Sequence, residues 1–480
     1  NKVPTTTGYF IKFLHATGRV LNDKKEEHID WWTREECYKV KQKDGTIYYQ
    51  NTEWEDNVEF KKYLLKYDMY KCLKTEEEIK PEVLSIWKPK KINGVQYNAW
   101  QVFKRDLELF KDWPHPFPEF QVKAGYCYDY PGRFDDDMSF DITSSYPHHI
   151  MMFNMSPETK VIRPTRSQIE SGEVIMTDVA EVGFLRTDDA IMPNVIKQVF
   201  NERKVWKKKE EEAIEAGDKE MENLCHNRQQ IKKLIINSMY GVSLAPGFHF
   251  YDPDIARCIC RCARVTLRDW LSRYCNEYYV STKITRDIEK YFNITLKNKA
   301  PLKLTNRDFA IVHNDTDSCY ICVHELRQRL IEEGVYSNRK TKPLLYPEDG
   351  MSDEQLAEMH KKNREIMDYN KTVADEYRDF FSHAEAMFQD FFNQVLEIRA
   401  KKSKVNQLIK FNRENIFSNM FCFAKKLYIG SVVDSEGALY PLEGIDKEVL
   451  TDEEKATLPK SMLKHPEGPK HKIMGVPIKK

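Results

Sequence analysis

The stretches FDITSSYP (residues 140–147) and IVHNDTDSCYICV (residues 311–323) each place an aspartate where an apolar, strand-like run meets a polar turn. They predict strands that deliver Asp141 and Asp317 to turns, the second as a β-hairpin with its aspartates at the tip. Carboxylates held in this way suit a pair of divalent cations bound against nucleotide phosphates. The long separation in sequence excludes a local calcium loop. A single Asp-x-Asp would favour a solvated turn, whereas two such stretches with a basic helix between them favour a cation site.

Composition sets broad limits on the fold and the function. The 480 residues include 41% hydrophobic and 12% aromatic residues, which predict a globular chain of about two to four domain-sized units. Because 75 basic residues balance 75 acidic ones, nucleic-acid binding would need a local basic surface. No stretch is long and apolar enough to span a bilayer, so we expect no membrane partner.

Eleven cysteines without framework spacing predict free thiols in a reducing, intracellular compartment. Cys258, Cys260 and Cys262 lie at alternate positions in a predicted helix. A zinc site would need Cys-x-x-Cys pairs, so core packing is favoured.

Residues 1–115 are aromatic-rich and charged and indicate no chemistry, and Pro114, Pro116 and Pro118 predict a connector after them. A strand pair follows, and the run Asp135 to Asp137 between its strands predicts a solvated turn.

The region from Pro193 predicts an antiparallel helical hairpin, its first helix ending at Gly217 and its second at Gly241. Residues 325–410 predict helix interrupted at 343–350, and residues 421–434 return to strand. The last residues predict no closing element.

The predicted hairpin carries two pairs of polar side chains, and three of these four side chains are cationic. Arg203 and Lys207 are one turn apart on the first helix, and Lys233 and Asn237 are one turn apart on the second, so each pair lines one face. An arginine fork combined with lysine point charges suits a triphosphate. For any one of them alone, a surface ion pair is the better interpretation.

These motifs resemble, in order, those of the family B DNA polymerases, especially those of large tailed bacteriophages. FDITSSYP is similar to the palm motif D-x-x-S-L-Y-P, KKLIINSMYG (232–241) to the fingers motif K-x-x-x-N-S-x-Y-G, and HNDTDS (313–318) to the second palm motif Y-G-D-T-D-S. FNERK, AKKLY and HKIMG resemble three further family segments, and NMSPET is family-like. The resemblance covers roughly residues 116–480.

The resemblance implies an α+β fold, a polymerase palm with an antiparallel β-sheet backed by helices and a two-helix fingers insertion. The implied organisation is an N-terminal region of unassigned role at 1–115, the first part of the palm at 116–192, the fingers hairpin at 193–245, the second part of the palm at 246–465, and the start of a link to a missing thumb at 466–480.

For catalysis, the resemblance implies that Asp141 and Asp317 bridge two Mg²⁺ ions, for which Mn²⁺ would substitute. The carbonyl of Ile142 is an additional ligand, and Asp315 is a supporting acid at the hairpin tip. Two ions of this kind need carboxylates that contact both.

For the substrates, the resemblance implies contacts to the incoming dNTP and to primer-template DNA. Tyr146 would pack under the deoxyribose and exclude a 2′-hydroxyl, although core packing is the alternative for both Tyr146 and Tyr240. The implied nucleotide-binding residues are Arg203, Lys207, Lys233, Asn237, Ser144, Ser145 and Tyr146, the nascent base pair rests on Tyr240 and Gly241, and the duplex is held by Lys425, Lys426 and Tyr428.

Several residues depart from the family pattern. Ser145 replaces a leucine, and His148 and His149 replace Ser-Ile. His313 replaces a tyrosine and Asn314 a glycine, where we expect asparagine to keep the turn because it tolerates left-handed backbone angles.

For the proofreading Asp-x-Glu, the candidate triplet is residues 287–289, which predict a solvent-facing helix position. No thumb segment is matched either. We therefore expect other polypeptides to supply exonuclease and thumb, with a sliding clamp or other replication proteins as further partners.

The implied function is template-directed DNA synthesis by the palm and fingers piece of a viral replicative polymerase, in the cytoplasm of a bacterial host or a viral replication compartment within it. A catalytically silent DNA-binding scaffold is one alternative, and it would have lost an acid or a phosphate-binding cation. An RNA-synthesising palm enzyme or a reverse transcriptase is another, and Tyr146 and the NSMYG helix favour DNA synthesis over it.

Overall fold

A computed structural model describes residues 37–41, 47–51, 89–92, 95–110, 125–179, 182–245, 248 and 250–476. The predicted proline connector at residues 114–118 lies outside this part of the chain. The strands are β1 (Cys37–Lys41), β2 (Ile47–Asn51), β3 (Lys90–Ile92), β4 (Val95–Tyr97), β5 (Tyr126–Asp129), β6 (Gly132–Ile142), β7 (Lys160–Ile162), β8 (Val174–Met176), β9 (Val182–Leu185), β10 (Ile311–Thr316), β11 (Ser318–Cys322), β12 (Phe411–Ala424), β13 (Leu427–Ser435), β14 (Ala438–Leu439) and β15 (Lys470–Met474).

The helices are α1 (Ala99–Phe110), α2 (Ser145–Met152), α3 (Arg166–Glu170), α4 (Ile191–Ala216), α5 (Lys219–Asn237), α6 (Met239–Leu244), α7 (Pro253–Val265), α8 (Arg273–Tyr279), α9 (Thr282–Tyr291), α10 (His324–Glu332), α11 (Asp353–Lys402), α12 (Asp452–Thr457) and α13 (Lys460–Lys464). A π-helical segment, Thr266–Ser272, joins α7 to α8, and a 3₁₀ turn covers Lys447–Val449. This mixture of helices with antiparallel strands confirms the α+β class. No helix among the described residues has the length and apolarity needed to cross a membrane.

The chain divides into two compact units. The first comprises Asn1–Lys123, Tyr146–Cys262 and Ser403–Asn406, and the second comprises Ala124–Ser145, Ala263–Lys402 and Gln407–Lys480. The division after Ser145 separates residues that the sequence predicts to be one palm segment, and the palm and fingers boundaries stay predictions.

An antiparallel sheet dominates the second unit, in the order β14-β13-β12-β6-β11-β10-β5, with β15 also pairing β13. Apolar side chains of β6 and β12 pack on the long helix α11, because Phe392 contacts both Phe140, at 5.1 Å between ring centroids, and Phe411, at 4.8 Å. The sheet therefore has a face that is covered by a helix.

Three expectations about this unit need correction. The strands β5 and β6 exist, but β5 pairs β10 and β6 pairs β11 and β12, so they do not form a pair with each other. The run Asp135 to Asp137 is not a solvated turn but part of β6, with Asp136 and Asp137 buried. The last predicted segment contains a closing element, because β15 pairs β13.

The helical hairpin of the first unit is formed by α4 and α5. Gly217 ends α4 with φ 71°, as predicted, and Asp218 caps α5 by accepting a hydrogen bond from the N–H of Met221 at 3.0 Å. The second helix does not end at Gly241, because α5 ends at Asn237 and α6 continues through that glycine. The cysteines Cys258, Cys260 and Cys262 are buried in α7, which confirms their core packing.

Candidate active site

Asp141 lies near the end of β6 with a partner strand on each side. It is opposite Ser318 on β11 and opposite Asn412 on β12. Its side chain is half-buried, and it makes no ion pair with any described residue. The strand therefore fixes the backbone of Asp141 firmly while its carboxylate charge stays uncompensated.

The tip of the β10–β11 hairpin is bonded to the end of β6. The N–H of Asp317 donates to the carbonyl oxygen of Asp315 at 2.6 Å, and the N–H of Ile142 donates to the carbonyl oxygen of Asp317 at 2.9 Å. Thr316 takes a left-handed backbone conformation with φ 58°, which is rare for a β-branched residue. Asp317 is therefore placed directly beside Asp141 and Ile142, as the motifs predict.

The carboxyl groups of Asp141 and Asp317 hold their protons more tightly than isolated ones do, because burial and neighbouring negative charges disfavour the ionised form. Burial and the neighbouring charges of Asp317 and Glu414 raise the pKa of Asp141 to about 8. Burial and the charge of Asp315 raise the pKa of Asp317 to about 6. Ionising both groups is therefore unfavourable unless a cation joins them.

Asp315 differs from these two carboxylates because it has a cationic partner. Burial alone would raise the pKa of Asp315, but hydrogen bonds from Lys426 and Thr316 lower it below its ordinary value. The ammonium group of Lys426 lies 2.9 Å from Oδ1 of Asp315, and the hydroxyl of Thr316 donates to the same oxygen at 3.0 Å. Asp315 is thus held ionised at the hairpin tip.

Glu414 is a nearby acid that sequence reasoning missed. It lies where the β6–β12 register shifts between Arg413 and Asn415, and its charge raises the pKa of both Asp141 and Asp317. Its own carboxylate is 3.5 Å from the ammonium group of Lys472 on β15. A bulge that redirects one side chain leaves no signal in a strand-like stretch such as FNRENIF.

Asn314 does not occupy the left-handed position that its replacement of glycine suggested. It is buried within β10, and its side-chain amide donates to the hydroxyl of Ser272 at 3.1 Å and to the carbonyl of Ser318 at 3.2 Å. Thr316 is the left-handed residue of this hairpin. Asn314 therefore fixes the hairpin through its side chain and not through its backbone.

The predicted duplex-binding residues lie in the β12–β13 hairpin. Lys425 and Lys426 form its turn and are exposed, with Lys426 at φ 61°. Tyr428 is buried, and its hydroxyl is 2.9 Å from that of Tyr320. Lys425 is therefore available to phosphates, Lys426 is exposed but paired with Asp315, and Tyr428 supports the hairpin from inside.

The chain turns sharply between β6 and α2. The N–H of Thr143 donates to the carbonyl of Lys410 at 2.9 Å, and Ser144 has φ 50°. Ser145 is buried as the first residue of α2. Ser144 is half-buried, so it is the more accessible of the two predicted phosphate contacts.

In the first unit, Tyr146 and Tyr240 are in contact. Their ring centroids are 4.8 Å apart, and Sγ of Cys260 is 3.9 Å from the hydroxyl of Tyr146. Burial, together with the Cys260 thiol, raises the pKa of Tyr240. The predicted sugar-selecting and base-pair residues therefore share one half-buried cluster, while Gly241 follows within α6.

The predicted phosphate-binding residues of the hairpin also lie on solvent-accessible positions. Lys207, Lys233 and Asn237 are exposed and Arg203 is half-buried. None of the three cations makes an ion pair with a described residue. Other cations of the hairpin do: Lys219 is 2.7 Å from Glu222, and Lys232 is 2.5 Å from Glu202.

The described part of the chain contains no group of three or more histidine, cysteine, aspartate or glutamate side chains arranged to hold a metal ion. Asp141 and Asp317 nevertheless fit a divalent cation, because they are adjoining carboxylates without ion-pair partners. Carboxylate and carbonyl oxygens are also the ligands that Mg²⁺ prefers, with remaining positions taken by water and substrate phosphates.

The Asp-x-Glu triplet lies on α9, as predicted, but its acids are not simply solvent-facing. Asp287 accepts a hydrogen bond from the hydroxyl of Tyr278 at 2.9 Å, and Glu289 accepts one from the N–H of Leu296 at 3.0 Å. Ile288 between them is buried. These bonds give both acids a structural role in ending and anchoring the helix.

Comparison with known proteins shows which protein family the region around the candidate site is similar to. Residues 132–332 match DNA polymerase family B, which confirms the resemblance to that family. The chain is 27% identical over 250 residues to the DNA-directed DNA polymerase of Enterobacteria phage T4, covering 40% of this chain and 26% of that protein. It is 25% identical over 258 residues to the DNA-directed DNA polymerase of Escherichia phage RB69, covering 42% of this chain and 28% of that protein. The matches thus span about a quarter of the length of these relatives.

Proposed function

We propose that this chain catalyses template-directed DNA synthesis, the attack of a primer 3′-hydroxyl on the α-phosphate of a dNTP with release of pyrophosphate. The observation that carries the proposal is the hydrogen bond from Ile142 to Asp317, which places two uncompensated carboxylates on adjoining strands. The similarity to phage DNA polymerases supports it. In this interpretation residues 116–192 and 246–465 form the palm, and residues 193–245, with the α4–α5 hairpin, form the fingers.

The residues of the palm hold reacting groups in place. Asp141 and Asp317 would hold two Mg²⁺ ions, or Mn²⁺ in their place, with the carbonyl of Ile142 as a further ligand. When bound, such ions lower the pKa of the primer hydroxyl and neutralise the leaving pyrophosphate. Asp315 and Lys426 fix the hairpin tip, and Lys425 with Lys426 bind duplex phosphates independently of sequence.

The hairpin of the first unit binds the dNTP in this proposal. Arg203, Lys207 and Lys233 form no ion pair with a described residue, which suits a triphosphate. Tyr146, in contact with Tyr240, limits space at the sugar. Positioning and charge neutralisation supply most of the rate enhancement, so no general base is needed.

Primer extension tests the proposal. A labelled primer on a DNA template is incubated with Mg²⁺ and dNTPs, using the chain alone and then with its copurifying proteins. Asp317→Ala should reduce incorporation by at least about 10³-fold. Asp135→Asn, which changes a half-exposed carboxylate on the same strand as Asp141, is the matched control and should retain activity.

Two outcomes would contradict the proposal. Comparable incorporation by wild type and Asp317→Ala would exclude the metal-binding role, and binding of primer-template without synthesis under every condition would favour a non-catalytic scaffold. Parallel reactions with rNTPs, and with RNA templates, distinguish DNA synthesis from the chemistry of an RNA polymerase or a reverse transcriptase.

A further inference from the structure

Among the described residues, the side-chain contacts that join α4 to α5 include three that differ in charge. Lys232 Nζ is 2.5 Å from Oε2 of Glu202, and His226 Nδ1 is 2.8 Å from Oε1 of Glu210. Between these pairs along α5, Nε of Arg203 donates to Oε1 of Gln229 at 3.3 Å. Two of the contacts therefore involve a carboxylate, whereas the contact to Arg203 involves a neutral amide.

Gln229 is well placed to fix the guanidinium group of Arg203. It is 4% exposed, so its amide is held by packing, and it lies one helical turn before Lys233 on α5. A guanidinium has five N–H donors, and its Nη groups form the fork that binds two phosphate oxygens at once. A bond through Nε alone orients the group and leaves that fork unused.

The neutrality of Gln229 matters as much as its position. No described residue forms an ion pair with Arg203, although Glu202 is its neighbour in sequence and pairs instead with Lys232. A carboxylate in place of the amide would pair with Arg203 and compete with a phosphate ligand. An amide accepts the hydrogen bond without reducing the positive charge.

We infer that Gln229 is a positioning residue for triphosphate binding, holding Arg203 by its Nε so that the remaining donors and the full charge meet the phosphates of the incoming nucleotide. This inference rests on the proposed function, because it assigns Arg203 to the dNTP. It extends that function to a residue that contacts no substrate itself.

The test compares Gln229→Glu with Asn227→Asp, which adds the same charge at an exposed position of α5. Steady-state primer extension gives KM for the dNTP and kcat, and calorimetry gives the Kd of inorganic tripolyphosphate. Gln229→Glu should raise both KM and Kd about tenfold while kcat changes less than about twofold. Asn227→Asp should change each constant less than about twofold.

A double-mutant cycle separates positioning from general structural damage. In an Arg203→Ala background, Gln229→Glu should have almost no further effect on KM or Kd, because the group that it neutralises is gone. Gln229→Met removes the acceptor without adding charge, and it should raise KM about threefold by loosening Arg203. Gln229→Met replaces Gln229→Glu in these measurements if circular dichroism shows that Gln229→Glu does not fold.

The outcomes distinguish this inference from the proposed function. If wild type synthesises DNA but Gln229→Glu behaves as Asn227→Asp does, or keeps its effect in the Arg203→Ala background, the positioning role is overturned and the function stands. If wild type makes no DNA but binds tripolyphosphate in a manner that Gln229→Glu weakens, the positioning role stands and the proposed function fails.

Discussion

The ammonium group of Lys426 lies 2.9 Å from the carboxylate of Asp315 and joins the tips of two β-hairpins. Lys426 takes a left-handed conformation in the β12–β13 turn, and its carbonyl oxygen would lie 2.5 Å from a Cβ added at Gly475, just after β15. Glycine is therefore required where the end of β15 passes this turn. Lys426, which is predicted to bind the duplex, therefore also holds Asp315 in place at the acidic site.

We first predict that Lys426→Met will lower the free energy of unfolding and shift the pH dependence of activity. The pKa of Asp315 is lower than its ordinary value, so its ion pair stabilises the fold above pH ~4 and this stability is lost as the pH falls through the lowered pKa. The variant should lose about 0.5–1 kcal/mol of unfolding free energy at pH 7 and little at acidic pH. The acidic limb of its pH–activity profile should move to higher pH.

Lys425→Met is the matched control for this change, since it removes the adjacent exposed lysine. Both variants should weaken duplex binding and reduce its salt dependence, because both lose a phosphate contact. Only Lys426→Met should alter the acidic limb. Equal pH profiles for the two variants would show that the contact to Asp315 has no effect on the site.

A second prediction concerns the stability cost of Asp141. Its pKa of about 8 exceeds the ordinary value, so the folded protein retains a proton that the unfolded chain loses, and stability decreases as the pH rises towards 8. Asp141→Asn lacks this dependence. In EDTA at pH 8.5 the variant should be about 1–3 kcal/mol more stable than wild type, although it should have lost polymerase activity.

Denaturant unfolding at pH 5 and pH 8.5 measures this difference. The advantage of Asp141→Asn should shrink at the lower pH, where Asp141 is protonated in the folded wild type. Asp135→Asn, on the half-exposed carboxylate earlier in β6, should show no such pH-dependent gain. A constant difference between Asp141→Asn and wild type across this range would contradict a raised pKa of Asp141 in the folded protein.

The sequence predicts the hairpin and the adjoining aspartates because their signals are local. Apolar runs on both sides of a polar turn indicate β10 and β11, and the family motifs predict that Asp141 and Asp317 adjoin. Burial of Asp136 could not be predicted in this way, because its partners His324, at 2.9 Å, and Arg327, at 3.6 Å, are distant in sequence. Strand order depends on the same kind of long-range contact.

Glu414 and Gln229 show the same limit at the candidate site. Glu414 reaches the carboxylate pair through a shift in register, which depends on how β12 meets β6. In the sequence Gln229 is an ordinary helix residue, because its contact with Arg203 depends on how α4 packs against α5. Motifs identify residues that would contact substrate, whereas the residues that orient them become visible only when distant segments are packed.

A third prediction is that divalent cations stabilise the wild-type chain through Asp141 and Asp317. A ligand at 100 times its Kd stabilises a folded protein by about 2.7 kcal/mol, so millimolar Mg²⁺ or Mn²⁺ should raise the melting temperature measurably. The rise should be larger at pH 8 than at pH 6, because binding requires deprotonated carboxylates. The double variant Asp141→Asn/Asp317→Asn should show almost no rise.

The matched control is Asp287→Asn/Glu289→Gln, which removes the two acids of the Asp-x-Glu triplet on α9. This double variant should be slightly less stable because neutral amide oxygens replace two charged acceptors, but its response to Mg²⁺ should equal that of wild type. If this variant lost the response to Mg²⁺ and the Asp141→Asn/Asp317→Asn variant kept it, the cation site would lie at α9 and not at Asp141.

The last prediction concerns the choice of sugar. The ring of Tyr146 is fixed by its contact with Tyr240, at 4.8 Å between centroids, so it cannot move aside easily for a 2′-hydroxyl. Tyr146→Ala should therefore raise the ratio of kcat/KM for an rNTP to that for the matching dNTP by at least about tenfold. Tyr146→Phe keeps the ring and should keep the discrimination, which separates steric exclusion from any effect of the hydroxyl near Cys260. Single-nucleotide primer extension measures both ratios, and unchanged discrimination in Tyr146→Ala would assign Tyr146 to core packing.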